Sequence, residues 1–166
     1  MFSLTKVAKS MACIAVLSLA VSTQASAQQP VTPAPSEPQP TWSTKVIKLA
    51  DGEAEVQFIA DIPAGWHIYP VSMPGTNGPL PTNITITPGS TAQPVGNVSE
   101  SKPKTVYENT FKTTVSYFEN QAIFKQKIKY TEGQPQKVNA TVEFMMMGNA
   151  GQCQAPSELD IIVPIQ

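Results

Sequence analysis

Val138-Asn-Ala-Thr-Val-Glu-Phe-Met-Met-Met147 alternates in steps of two: Val138, Ala140, Val142, Phe144 and Met146 fall on one side, Asn139, Thr141, Glu143, Met145 and Met147 on the other. Successive side chains of a β-strand point to opposite faces, so this pattern specifies a strand with one buried face. Upstream, Phe124, Ile128 and Tyr130 alternate with Lys125, Lys127 and Lys129, a strand with a charged outer face, and Ala54, Val56, Phe58 and Ala60 form a third apolar row. Further strands are expected at Thr44 to Ala50, Trp66 to Tyr69, Thr82 to Thr87, Thr113 to Phe118 and Leu159 to Ile165. About eight short strands, punctuated by turn signals such as Asp51-Gly52 and Glu132-Gly133, predict an all-β, immunoglobulin-like antiparallel β-sandwich in a single domain, with a barrel as the second choice. Pro164 cannot donate to a ladder, which predicts an edge position or a bulge for the last strand. Trp66 and Tyr69 are expected in the core.

Lys6 and Lys9 precede the apolar run Met11 to Val21, and Ala25-Ser-Ala27 follows with small residues suited to cleavage, the layout of a secretory signal peptide over residues 1–27. The run is too short for a comfortable membrane span, and no later segment approaches one. The expected mature chain is therefore exported, periplasmic or secreted, without a membrane span. The segment 28–41 carries five prolines, which suppress helix and ladder pairing, and is expected to be a Pro-rich linker to a domain over residues 42–166. Removing the leader leaves a formal charge of −3 and no arginine anywhere, which argues against nucleic acid as a partner.

Cys13 lies within the leader, so Cys153 is the one cysteine of the mature chain and has no internal partner for a disulfide. No nucleophile elbow, phosphate loop, zinc spacing or calcium loop occurs, and no cofactor is expected. A Cys153/His67 dyad has nothing in its spacing to support it. The informative stretch is Val142-Glu-Phe-Met-Met-Met-Gly-Asn-Ala-Gly-Gln-Cys-Gln-Ala-Pro156, in which a strand ends in a glycine-rich turn that delivers a cysteine and then a proline.

Gly65-Trp-His-Ile-Tyr69, Gly78-Pro-Leu-Pro-Thr82, the segment from Gly96 to Tyr107, Val115-Ser-Tyr-Phe-Glu119 and Cys153-Gln-Ala-Pro156 together resemble the N-terminal domain of the thiol:disulfide interchange protein DsbD, from about Trp42 to Ile165. The resemblance implies a pair of cysteines around the last turn, cycling between dithiol and disulfide and passing electrons from a membrane-embedded partner to periplasmic proteins. Cys153 matches the second of that pair and Pro156 the proline after it. The first falls at Met147, or at Gly148 if the turn is one residue shorter, and neither is cysteine. A thioether forms no disulfide, so a complete dithiol reductase cycle is not expected. The resemblance also implies a cap loop at about Lys104 to Phe111, with Tyr107 and Phe111 as lids over Cys153, unless those rings simply pack in the core.

Three readings follow. The domain docks a periplasmic or membrane-bound redox protein, of thioredoxin fold or similar, and Cys153 makes mixed disulfides with it or links two copies into a homodimer. Alternatively it is a redox-inactive interaction module of the cell envelope, with Cys153 buried and inert. In the third reading Met145, Met147, Cys153 and His67 are soft ligands for Cu(I).

Overall fold

The central strands form where the alternation is cleanest. In the computed structural model, which describes residues 37–73, 78–109 and 112–165, β2 (Glu53–Asp61) buries Ala54, Val56, Phe58 and Ala60, and β8 (Gln121–Lys129) buries Ala122, Phe124 and Ile128. The two pair antiparallel with Phe58 opposite Phe124, which places their apolar rows side by side on one face. β1 (Thr41–Ala50) and β5 (Gln93–Glu100) flank them, giving a four-stranded sheet in the order β1-β2-β8-β5. The opposing sheet has the order β11-β9-β4, from β4 (Asn83–Ile86), β9 (Gln136–Phe144) and β11 (Ser157–Ile165). Val138, Ala140, Val142 and Phe144 of β9, with Val163 and Ile165 of β11, complete one core with the first sheet. This is the antiparallel, immunoglobulin-like sandwich; its two sheets keep open edges, so the barrel alternative does not apply.

Every regular element among the described residues is a strand, eleven in all rather than about eight. β5 escapes the periodicity because Pro94 and Gly96 interrupt it and its side chains are largely exposed. It is an edge strand whose register with β8 shifts between Val95 and Ser99, and the buried Gln126 side chain donates across that shift to the Val95 carbonyl at 3.1 Å. Pro164 also sits on an edge strand, β11. Tyr69 is buried as expected, while Trp66 is half-buried and packs against the core.

Two smaller ladders lie beyond the sheets: β3 (Trp66–Ile68) with β10 (Met146–Gly148), and β6 (Lys104–Glu108) with β7 (Thr113–Tyr117). The alternating row quoted first does not run through to Met147. It breaks at Met145, where the chain leaves the β9 sheet and pairs with β3 instead, and Met147 is consequently buried (4% exposed) rather than on an outer face. Of the segment read as a cap loop, Lys104–Glu108 form strand β6, paired with β7. The far end of the Pro-rich segment is packed: Pro40 is buried, and the Gln154 side chain donates to the Pro38 carbonyl at 3.0 Å. Residues 1–36, with the leader and most of the linker, lie outside the described residues, as does Phe111.

Candidate functional site

The C-terminal turn is held by its backbone. Gly151 N–H donates to the Gly148 carbonyl at 2.9 Å, closing the turn, and Gly151 takes a φ of 84°, in the left-handed region open to glycine. Asn149 N–H donates to Gly65 O at 2.8 Å, which anchors the turn to the segment entering β3. A Cβ at Gly148 would meet the mobile end of the Gln152 side chain, Oε1 at 2.6 Å, and make an ordinary contact of 3.5 Å with the Trp66 ring.

Cys153 returns alongside β10 and forms an isolated antiparallel bridge with Met147. Gln154 N–H donates to Met146 O at 3.0 Å and Gly148 N–H to Gln152 O at 2.7 Å. Bonds on both sides of the pair and none within it define a non-hydrogen-bonded pair, in which the Cα atoms stand about 4.5 Å apart and the side chains share a face. Met147, not Gly148, is thus the residue opposite the cysteine. On its other side Met147 pairs with His67 of β3, so His67, Met147 and Cys153 form a lateral row across three adjacent segments. Met147 occupies the row position between His67 and Cys153, so these two are not directly paired.

The row changes from buried to open along its length. His67 is 8% exposed, its ring 4.6 Å from that of Tyr117 and 5.5 Å from that of Tyr69. The Tyr69 hydroxyl donates to Met147 Sδ at 3.4 Å. Cys153 is exposed and has no disulfide. A cleft of about 480 Å³ opens beside the row, lined by His67, Tyr117, Glu119, Met147 and the turn from Gly148 to Gly151.

The β6–β7 hairpin forms the cleft's far side. It is tied to β3 through the Ile68/Phe118 bridge, with reciprocal backbone bonds of 3.2 and 2.8 Å. Lys104 bonds Glu119 at 3.2 Å and lies 5.5 Å above the Tyr117 ring; the Glu119 carboxylate holds the Lys104 ammonium above its ordinary pKa. Tyr107 is 63% exposed, so it is not a core residue, and Cys153 is exposed as well; the other expected lid, Phe111, lies outside the described residues. Tyr117, on the returning strand, is the aromatic that meets the site. Sequence reasoning missed it because only the hairpin and the Ile68/Phe118 bridge bring it to His67. Pro156 is exposed and borders a second groove of about 710 Å³ with Val71, Leu80 and Phe144. Met145 sits in the break between β9 and β10 and belongs to neither pairing. Among the described residues no three of His, Cys, Asp and Glu converge as a metal site, and no helix is long and apolar enough to cross a membrane.

Residues 32–163 match the family described as thiol:disulfide interchange protein DsbD, N-terminal. A search of curated proteins gives no significant match. Among solved structures, the DsbD N-terminal domain of Neisseria meningitidis in the reduced form is 16% identical, with a TM-score of 0.48 over 74% of this chain and 83% of that chain. The N-terminal periplasmic domain of ScsB from Proteus mirabilis is 14% identical, with a TM-score of 0.48 over 74% of this chain and 44% of that one. The complex between the DsbD N-terminal and PilB N-terminal domains of Neisseria meningitidis matches at 17% identity and a TM-score of 0.44, over 73% and 80% of the two chains.

Proposed function

The chain belongs to the family of DsbD N-terminal domains, and on that premise we propose that it docks a redox protein of the bacterial periplasm at the Cys153 turn and exchanges a single disulfide bond with it. The observation that carries this reading is the exposed, unbridged Cys153 beside an open cleft, on a turn fixed by backbone bonds to β10 and to Gly65. A thiol reacts as its thiolate and needs access, and the turn supplies access.

In the exchange, the Cys153 thiolate attacks one sulfur of a partner disulfide. The new S–S bond joins Cys153 to the partner, and the partner's other sulfur leaves as a thiolate. Where a dithiol domain would resolve this adduct with its own second cysteine, Met147 has no displaceable proton and forms no disulfide. The partner's freed thiolate must then attack its own bridged sulfur and expel Cys153, or an external thiol must do so. The domain is accordingly a docking and one-cysteine relay unit rather than a complete reductase. Membership of this family supports a periplasmic setting, a compartment in which disulfides persist. Partner, exchange and compartment rest on the family and on this geometry together.

A partner of thioredoxin fold lacking its resolving cysteine, with its remaining cysteine activated as an aromatic mixed disulfide, should give a one-to-one adduct as Cys153 displaces the aromatic thiol, removed by reductant and absent from Cys153→Ser. If Cys153→Ser still co-purifies with the partner while no adduct forms with the parent, the redox-inactive docking module replaces this reading. A reducible dimer of the protein alone would identify a second copy as its disulfide partner.

A further inference from the structure

We propose that His67, Met147 and Cys153 form a binding site for a single Cu(I) ion. The three residues are successive members of one row across β3, β10 and the returning chain, so their side chains leave the same face from neighbouring backbone positions. They supply one imidazole nitrogen, one thioether and one thiol. Thioether and thiolate sulfur select Cu(I), and imidazole suits copper as well, whereas oxygen-seeking ions find no carboxylate cluster among the described residues.

Two features of the site go beyond ligand identity. Met147 is buried, yet its sulfur is not left to arbitrary packing: the Tyr69 hydroxyl donates to Sδ at 3.4 Å and fixes where the thioether points. A thioether sulfur has two lone pairs, so one remains for an ion while the other accepts from Tyr69. The cleft beside the row also opens on both His67 and Met147, giving an ion a path to the inner two ligands, and Cys153, opposite Met147, is exposed at the row's outer end. Met145 is outside the row and is no ligand. On binding, the Cys153 thiol loses its proton to solvent and the sulfur bonds the ion; the copper stays Cu(I) and no electron is transferred. A bound ion would occupy the same sulfur that forms a mixed disulfide, so the two uses of Cys153 exclude one another.

The test is an anaerobic titration of the reduced protein with Cu(I) held by a chromophoric chelator, reading the ion withdrawn per chain. The expected result is one Cu(I) per chain, with retention weakened roughly ten-fold or more in Met147→Leu and in Cys153→Ser and unchanged in Met145→Leu. Leucine is close to methionine in volume and Cys153 is exposed, so both variants should stay folded, which urea unfolding checks. Copper X-ray absorption of the loaded protein should show nitrogen and sulfur neighbours, with one sulfur fewer in Met147→Leu. The proposal is overturned if the chelator keeps the ion, if Met147→Leu binds as the parent does, or if Met145→Leu loses as much as Met147→Leu. Mixed-disulfide formation in Met147→Leu should persist, so failure here leaves the exchange reading standing.

Discussion

Replacing Met147 by cysteine should create a disulfide where the natural chain has none. Met147 faces Cys153 as a non-hydrogen-bonded antiparallel pair, and the roughly 4.5 Å Cα separation of such pairs lies at the short end of the disulfide range. The bridge would close the seven residues from Met147 to Cys153. The loop-entropy relation gives about 2.4 kcal/mol of stabilisation for a loop of that length. Against this, the smaller side chain leaves a void beneath Tyr69 and gives up its hydroxyl contact, at a cost of about 1–3 kcal/mol. The clean comparison is therefore between oxidised and reduced forms of Met147→Cys, in which that cost is common. At about 3–4 °C per kcal/mol for a domain of this size, the oxidised form should melt about 8 °C above the reduced one. Intact mass after alkylation counts the thiols, and calorimetry reads the two transitions. Two alkylatable thiols after mild oxidation, or an oxidised form melting at or below the reduced one, would refute the assigned pairing of the turn.

Cys153 should alkylate in the native protein at a rate close to that after denaturation, and Cys153→Ser should change stability by no more than about 0.5 kcal/mol, as for other exposed positions; protection in the native state would make the thiol structural. Glu100 accepts from Val71 N–H at 2.8 Å, yet partial burial raises its pKa, with the hydrogen bond offsetting only part of the shift. The fold then binds its proton more tightly than the unfolded chain does, so this contribution to stability is lost as pH rises through the raised value. Glu100→Gln should be more stable than the parent at pH 7 by urea midpoint, with the difference vanishing in acid; equal midpoints at pH 7 would contradict the assignment. Phe124→Ala, between the Trp42 and Phe118 rings in the core, should cost about 3–5 kcal/mol, and a loss under 1 kcal/mol would mean the sheets do not pack there as described.

The parts of the fold legible in the sequence are those where burial and strand period coincide. Val56 and Phe58, Phe124 and Ile128, and Val138 to Phe144 read directly because each strand has one buried face. The edge strand β5 buries too little to leave a pattern, and Pro94 and Gly96 erase what remains. The break at Met145 was invisible for the opposite reason: three consecutive methionines continue either periodicity, so nothing in the residues marks where β9 stops and β10 turns to β3. That break decides the site, since it carries Met147 into the row between His67 and Cys153. The cysteine and its turn were legible from Gly148, Gly151 and Pro156. Tyr117 was not, because its place over His67 is made by pairing between segments far apart in sequence.

The central claim is that the folded domain presents Cys153 to a protein partner, and the rate of mixed-disulfide formation tests it most directly. A thioredoxin-fold protein lacking its resolving cysteine, and activated as an aromatic mixed disulfide, would be reacted with the folded domain and with a free peptide of the sequence Gln152-Cys-Gln-Ala-Pro156. Both rates are normalised to reaction with a small aromatic disulfide. Docking at the cleft predicts that the folded domain is faster than the peptide by a factor of roughly ten or more, equivalent to about 1.4 kcal/mol of docking energy in the transition state. Equal normalised rates would show a thiol with access but no docking surface, and would contradict the account.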